Sequence, residues 1–222
     1  MADGLTQFRG LDPALIRAAL QRVGDVILAA GRDPDEVEVL AAVKYVPTAE
    51  LGALAEAGIT VVGENRAQEL VEKARAHPEF TWDFIGNLQS RKVKAIVPYV
   101  RYIHSVASES VLAQLAHHAT EATRVLLEVN VAGEPGKGGI GPEEIGAYIA
   151  ACPVPVVGLM TMPPEAADAE RNRPHFARLR ELAAEHGLSE LSMGTTQDYA
   201  VAVQEGATIV RLGSGLYTPG RA

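Results

Sequence analysis

Residues 37–76 read VEVLAAVKYVPTAELGALAEAGITVVGENRAQELVEKARA. Two short apolar runs, VEVLAAV and ITVVG, alternate with two stretches whose apolar residues recur at helical spacing, TAELGALAEAG and AQELVEKARA. Strand, helix, strand implies parallel pairing, because parallel neighbours need a crossover and a helix supplies one that also covers the sheet face. Towards the C-terminus the alternation continues as WDFIG then RKVKAIV, YIHSV then SVLAQLAHHA, RVLLEVNV then PEEIGAYIA, VPVVGLM then HFARLRELAAEHG, LSELSM then QDYAVAVQEG, and finally TIVRLG. Runs such as VLLEVNV suit strands buried on both faces. Eight strands in 222 residues predict a closed (β/α)8 barrel rather than an open doubly wound sheet. Towards the N-terminus, Leu15, Ile16, Ala19, Leu20, Val23 and Ile27 are placed on one helical face between Pro13 and Ala30, with Gly31 as the stop. Only SGLYTPGRA follows the last strand, so this opening helix is expected to fill the place of an eighth covering helix. No linker or composition shift interrupts the chain, and residues 1–222 are read as one domain.

Composition narrows the function. Apolar residues make up 47% of the chain, enough for a sizeable core, and the formal net charge of -8 with a pI near 5.3 argues against a general nucleic-acid or anionic-membrane binder. Cys152 is the only cysteine, which fits a reducing compartment and excludes an intrachain disulfide. MADGLTQFRG is polar and no later segment is a membrane span, so a cytoplasmic protein is expected.

In a parallel barrel the carboxyl ends of all strands gather on one face, where barrel sites are built. The polar residues expected there are Lys44; Glu64 and Asn65; Asn87; His104 and Ser105; Asn130; Thr161; Ser192, Gly194 and Thr195; and Arg211, Gly213 and Ser214. The set lacks the paired carboxylates of a glycosidase and the ligand cluster of a metal hydrolase. It offers instead one lysine and two small-residue turns, SMGTT and GSG, after the seventh and eighth strands, where barrels often hold phosphate. A desolvated lysine facing a phosphate pocket suggests an imine with a carbonyl compound. Taken alone, a lysine at a strand end is an ordinary rim residue, and glycine turns relieve strain. GKGGIG at 136–141 matches a dinucleotide fingerprint, but Pro135 and Pro142 flank it and its glycines begin well past the strand end.

In order, AVKYVP, VVGENRAQEL, WDFIGNLQSRK, GKGGI, VVGLMTMP and LSMGTTQDYAVAVQEGATIVRLGSGLY resemble the pyridoxal phosphate homeostasis proteins, a family related to the barrel domain of alanine racemase, from about Asp12 to Tyr217. The resemblance implies the alanine racemase N-terminal type of barrel and a binder of pyridoxal 5'-phosphate that buffers or delivers the cofactor without dedicated catalysis. It implies that Lys44 forms the aldimine, Asn65 lines the pocket, Ser192, Gly194, Gly213 and Ser214 hold the phosphate, and Arg211 faces the pyridine nitrogen. Lys137, Thr196 and Asp198 fall where the pattern departs, with glycines around Lys137 and TTQDY in place of a more acidic stretch, and their roles stay open. Cofactor-requiring apo-enzymes are the implied partners, and a monomer is expected. Two alternatives remain: an amino-acid racemase, which needs a second base, and a lysine-imine aldolase, which needs an acid/base partner beyond Glu64 and Tyr45.

Overall fold

The computed structural model describes residues 7–218. Eight strands, β1 (Glu38–Ala42), β2 (Val61–Glu64), β3 (Thr81–Phe84), β4 (Tyr102–Val106), β5 (Arg124–Glu128), β6 (Val156–Met160), β7 (Glu190–Thr195) and β8 (Ile209–Leu212), pair in parallel, each with the next. β8 returns to β1, with Leu40 opposite Arg211, and the barrel closes. The helices are α1 (Pro13–Ala29), α2 (Leu51–Glu56), α3 (Ala67–Ala76), α4 (Val93–Ile96), α5 (Glu109–His118), α6 (Ile145–Ala151), α7 (Arg173–Glu185), α8 (Tyr199–Gln204) and α9 (Ser214–Tyr217).

α1 starts where Asp12 accepts the Ala14 N–H at 2.8 Å and Pro13 supplies a preset backbone angle; it stops before Gly31, whose φ of 76° only glycine adopts freely. Its buried stripe is Ile16, Ala19, Val23 and Ile27, and it packs against α2, α8 and α9, closing the helical ring between β8 and β1 as the sequence predicted. Leu15 departs from expectation: it is 49% exposed, because one residue step turns it about 100° from Ile16.

Each strand has two buried faces. Val43, Val62, Trp82, Phe84 and Val210 point outward into the main core beneath the helices. The alternate positions point into the barrel, where Leu40, Val61 and Ile209 pack with Ile85 and Tyr102 as a separate apolar plug. Beside that plug lies a polar cluster: Asp83, His104 and Ser192 are fully buried, and Arg211 is 6% exposed. His104, Ser105 and Ser192 therefore correct the expected rim, since all three are buried, and His104 and Ser192 bond to each other across the barrel interior. The physical reason is depth along the strand: His104 and Ser105 fall before the end of β4 at Val106, and β7, irregular between Ser192 and Thr195, runs on to Thr195 past the expected run LSELSM.

Among the described residues no helix is long and apolar enough to cross a membrane, and no group of three or more His, Cys, Asp or Glu side chains could hold a metal ion.

Candidate functional site

A cavity of about 680 Å³ opens at the carboxyl ends of the strands. The inward alternation of β1 runs through Leu40 and Ala42 to Lys44, so the lysine reaches the cavity from a turn two residues past the strand. Lys44 is exposed, and its ammonium lies 4.7 Å from the centre of the Tyr45 ring. By the same alternation Asn65 and Asn87 enter from the ends of β2 and β3, Glu128 from β5, Met160 and Met162 from β6, and Arg211 and Gly213 from β8. Thr195, Thr196 and Ser214 complete one wall.

Asn65 is held from behind by Gly86, where a methyl group would lie 2.0 Å from the Asn65 carbonyl oxygen. The asparagine amide oxygen is buried and has no hydrogen-bond partner among the described residues. Gly86→Ala should destabilise the fold by about 2 kcal/mol and displace Asn65, because neither backbone can yield cheaply. Urea unfolding checks this, and a midpoint equal to that of the unaltered protein would contradict it.

On the opposite side, the β7–α8 turn is tied by Asp198. Its carboxylate accepts from the Thr195 N–H at 2.7 Å and hydroxyl at 3.1 Å, and from the Asn172 amide at 2.9 Å. Asp198 is thus a turn anchor. The Thr196 hydroxyl receives the Gly213 and Gly215 N–H groups at 3.4 and 3.3 Å, long contacts that converge on one oxygen. Gly194 has φ of 90° and lies against Tyr199 and Ala202, so it shapes the turn from beneath rather than lining the cavity.

Arg211 forms the cavity floor. Its Nη1 donates to the Ser192 carbonyl at 2.7 Å and hydroxyl at 2.6 Å, and its Nη2 to the Thr161 carbonyl at 2.9 Å and Met162 sulfur at 2.8 Å. Burial lowers its pKa to about 10, with Asp198 and Glu128 opposing the shift, so the guanidinium remains charged at neutral pH. Ser192 lies beneath Arg211, and its hydroxyl is bonded to Arg211 and His104.

Other expected groups are also committed. Glu64 accepts from the Asn65 and Arg66 N–H groups at 2.7 and 3.1 Å and from the Lys73 ammonium at 2.6 Å. Asn130 ties its own loop through both backbone groups of Glu134, and Lys137 pairs with the Glu134 carboxylate. Glu128, by contrast, was not singled out from sequence. Burial raises its pKa, partly offset by Arg211 and Lys137. Its signal was present: a lone acid at an inward position of the apolar run VLLEVNV.

The closed parallel barrel presents a lysine from just past β1 and an arginine from β8 to one cavity, and the family model described as the N-terminal domain of alanine racemase matches residues 27–219. The chain belongs to that family and, within it, to the pyridoxal phosphate homeostasis proteins. It is 39% identical to the protein of that name from Aquifex aeolicus, over 89% of this chain and 93% of the relative, and 36% identical to that from Pseudomonas aeruginosa, over 88% and 90%. The solved structure of PipY from Synechococcus elongatus with PLP bound superposes with a TM-score of 0.76 at 31% identity, covering 90% of this chain and 99% of that one. Alanine racemase from Corynebacterium glutamicum shares the fold, with a TM-score of 0.69 at 17% identity over 93% of this chain and 61% of the racemase.

Proposed function

We propose that this chain binds pyridoxal 5'-phosphate in the rim cavity and serves to hold and deliver it in the cytoplasm, as a monomer and without dedicated catalysis. The observation that carries this reading is the convergence of Lys44, Arg211 and the Thr196–Gly213–Gly215 turn on one cavity. The residues fit the cofactor on a further count: the two long amide contacts to Thr196 are a pair that an anionic oxygen would satisfy better. When bound, pyridoxal 5'-phosphate supplies an aldehyde that condenses with a primary amine.

Lys44 is the amine, and its exposure leaves it accessible to an incoming aldehyde. The Gly213, Ser214 and Thr196 groups hold the phosphate by backbone and hydroxyl donors. Arg211 donates a hydrogen bond to the ring nitrogen without yielding its proton, because its pKa stays near 10 even when buried. A ring so held would be a weaker electron sink than one facing an acid. Apo-enzymes that need the cofactor are the natural recipients.

Adding pyridoxal 5'-phosphate to the purified protein should produce a visible absorbance band, and borohydride should then fix one cofactor to the chain. A protein that stays colourless refutes the reading. Glu128 keeps an amino-acid racemase open as a second reading, since it places a titratable carboxyl in the same cavity. Rapid α-deuteration with inversion of a single-enantiomer amino acid in deuterated water would favour it.

A further inference from the structure

We propose that His104 is a positioning residue for Arg211, acting through Ser192, with Asp83 fixing the imidazole tautomer. The four side chains form a continuous line through the barrel interior. Arg211 Nη1 lies 2.6 Å from Ser192 Oγ, Ser192 Oγ 2.8 Å from His104 Nδ1, and His104 Nε2 3.1 Å from Asp83 Oδ2. Asp83 is itself fastened by the Arg101 guanidinium at 2.6 and 3.1 Å and by the Tyr102 N–H at 3.1 Å. Arg101 in turn forks onto Glu38 at 2.6 and 2.8 Å, at the opposite end of the barrel from the cavity.

The donors and acceptors can be assigned in one way that leaves none wasted. The Asp83 carboxylate only accepts, so the imidazole proton belongs on Nε2 and Nδ1 carries a lone pair. Ser192 then gives its hydroxyl hydrogen to Nδ1, which turns an oxygen lone pair towards Arg211. With a proton on Nδ1 instead, the Ser192 oxygen would face two donors, and its own hydrogen would need another acceptor in a fully buried site. The tautomer of His104 is thereby read out as the direction of the Arg211 fork. That fork sets which guanidinium edge meets the cavity, and a ring nitrogen bound there feels its position.

This inference rests on the cavity being the pyridoxal phosphate site, and the test separates the two. His104→Gln carries an amide to the place of Nε2, keeping Asp83 while abandoning Ser192. His104→Asn carries one to the place of Nδ1, keeping Ser192 while abandoning Asp83. His104→Gln and Ser192→Ala are expected to move the absorbance maximum of bound cofactor and weaken its binding roughly tenfold, the loss of one charge-assisted contact. His104→Asn, which keeps an acceptor for Ser192 but loses Asp83, is expected to lie between His104→Gln and the unaltered protein on both measures. A His104→Gln spectrum and affinity equal to those of the unaltered protein, or equal displacement by Gln and Asn, would overturn the proposal. Nitrogen-15 spectra of the cofactor-free protein judge it independently of folding in the variants or of any cofactor binding: His104 should carry its proton on Nε2 alone, and a proton on Nδ1 sinks the idea. A missing absorbance band in the unaltered protein condemns the cofactor assignment, while the nitrogen spectra still decide the role of His104.

Discussion

Lys44→Ala should remove the visible band completely, and borohydride should then leave no cofactor on the chain. The loss is total because the other lysines near the rim are engaged: Lys73 is 4% exposed and held by Glu64, and Lys137 is paired with Glu134. The fold, in contrast, should barely change. Among the described residues the Lys44 ammonium meets only the Tyr45 ring, at 4.7 Å, and an exposed cation–π contact contributes about 0.5–1 kcal/mol. Lys44→Arg separates charge from chemistry, since a guanidinium keeps the cation but does not condense with an aldehyde at neutral pH. Both variants should still hold the cofactor weakly through the Gly213–Ser214 turn, a binding that equilibrium dialysis measures without needing colour. A full-strength band in Lys44→Ala would move the reacting amine elsewhere.

How far these residues could be found from sequence depends on what the local pattern encodes. The alternation in 37–44 carries two facts at once, the strand and the inward side of Lys44, and it continues in Asn65, Arg211 and Gly213, which all face the cavity. The count of strands and the shortness of the segment after the last one sufficed for closure and for the place of α1. Depth along the barrel axis was not encoded in this way. Ser192 and Lys44 look alike as polar residues ending apolar runs, yet one lies in the interior and the other on the rim, because the irregularity between Ser192 and Thr195 adds length to β7. Asp83 was not singled out, and His104 was read only as a polar strand-end residue, for a related reason: each sits among apolar neighbours, and the partner that makes it tolerable comes from another strand. Glu128 could have been found by extending the alternation of β5.

Lys73→Ala should cost about 3–5 kcal/mol of stability, the largest loss expected from any single substitution at the rim. Lys73 lies in the helical run AQELVEKARA, and its ammonium is sequestered, 2.6 Å from the Glu64 carboxylate and 2.8 Å from the Val43 carbonyl oxygen. Removing it strands the Glu64 carboxylate, which is fully buried and keeps only two backbone N–H donors. At this chain length the loss corresponds to a fall in Tm of roughly 10 °C. Glu64→Gln with Lys73→Met removes both charges and should recover most of it, because a buried pair is worth little beyond an apolar replacement of similar volume. The consequence reaches the site, since Val43 precedes Lys44 and Glu64 precedes Asn65, and the ion pair ties the two rim segments together. In Lys73→Ala the band should therefore form with weaker affinity, although the reacting amine is untouched. Thermal unfolding and a cofactor titration, run on the single and double variants, measure the two effects separately. A single variant within 1 kcal/mol of the unaltered protein would mean that water enters to solvate Glu64, and the pair would then be no more than a rim contact.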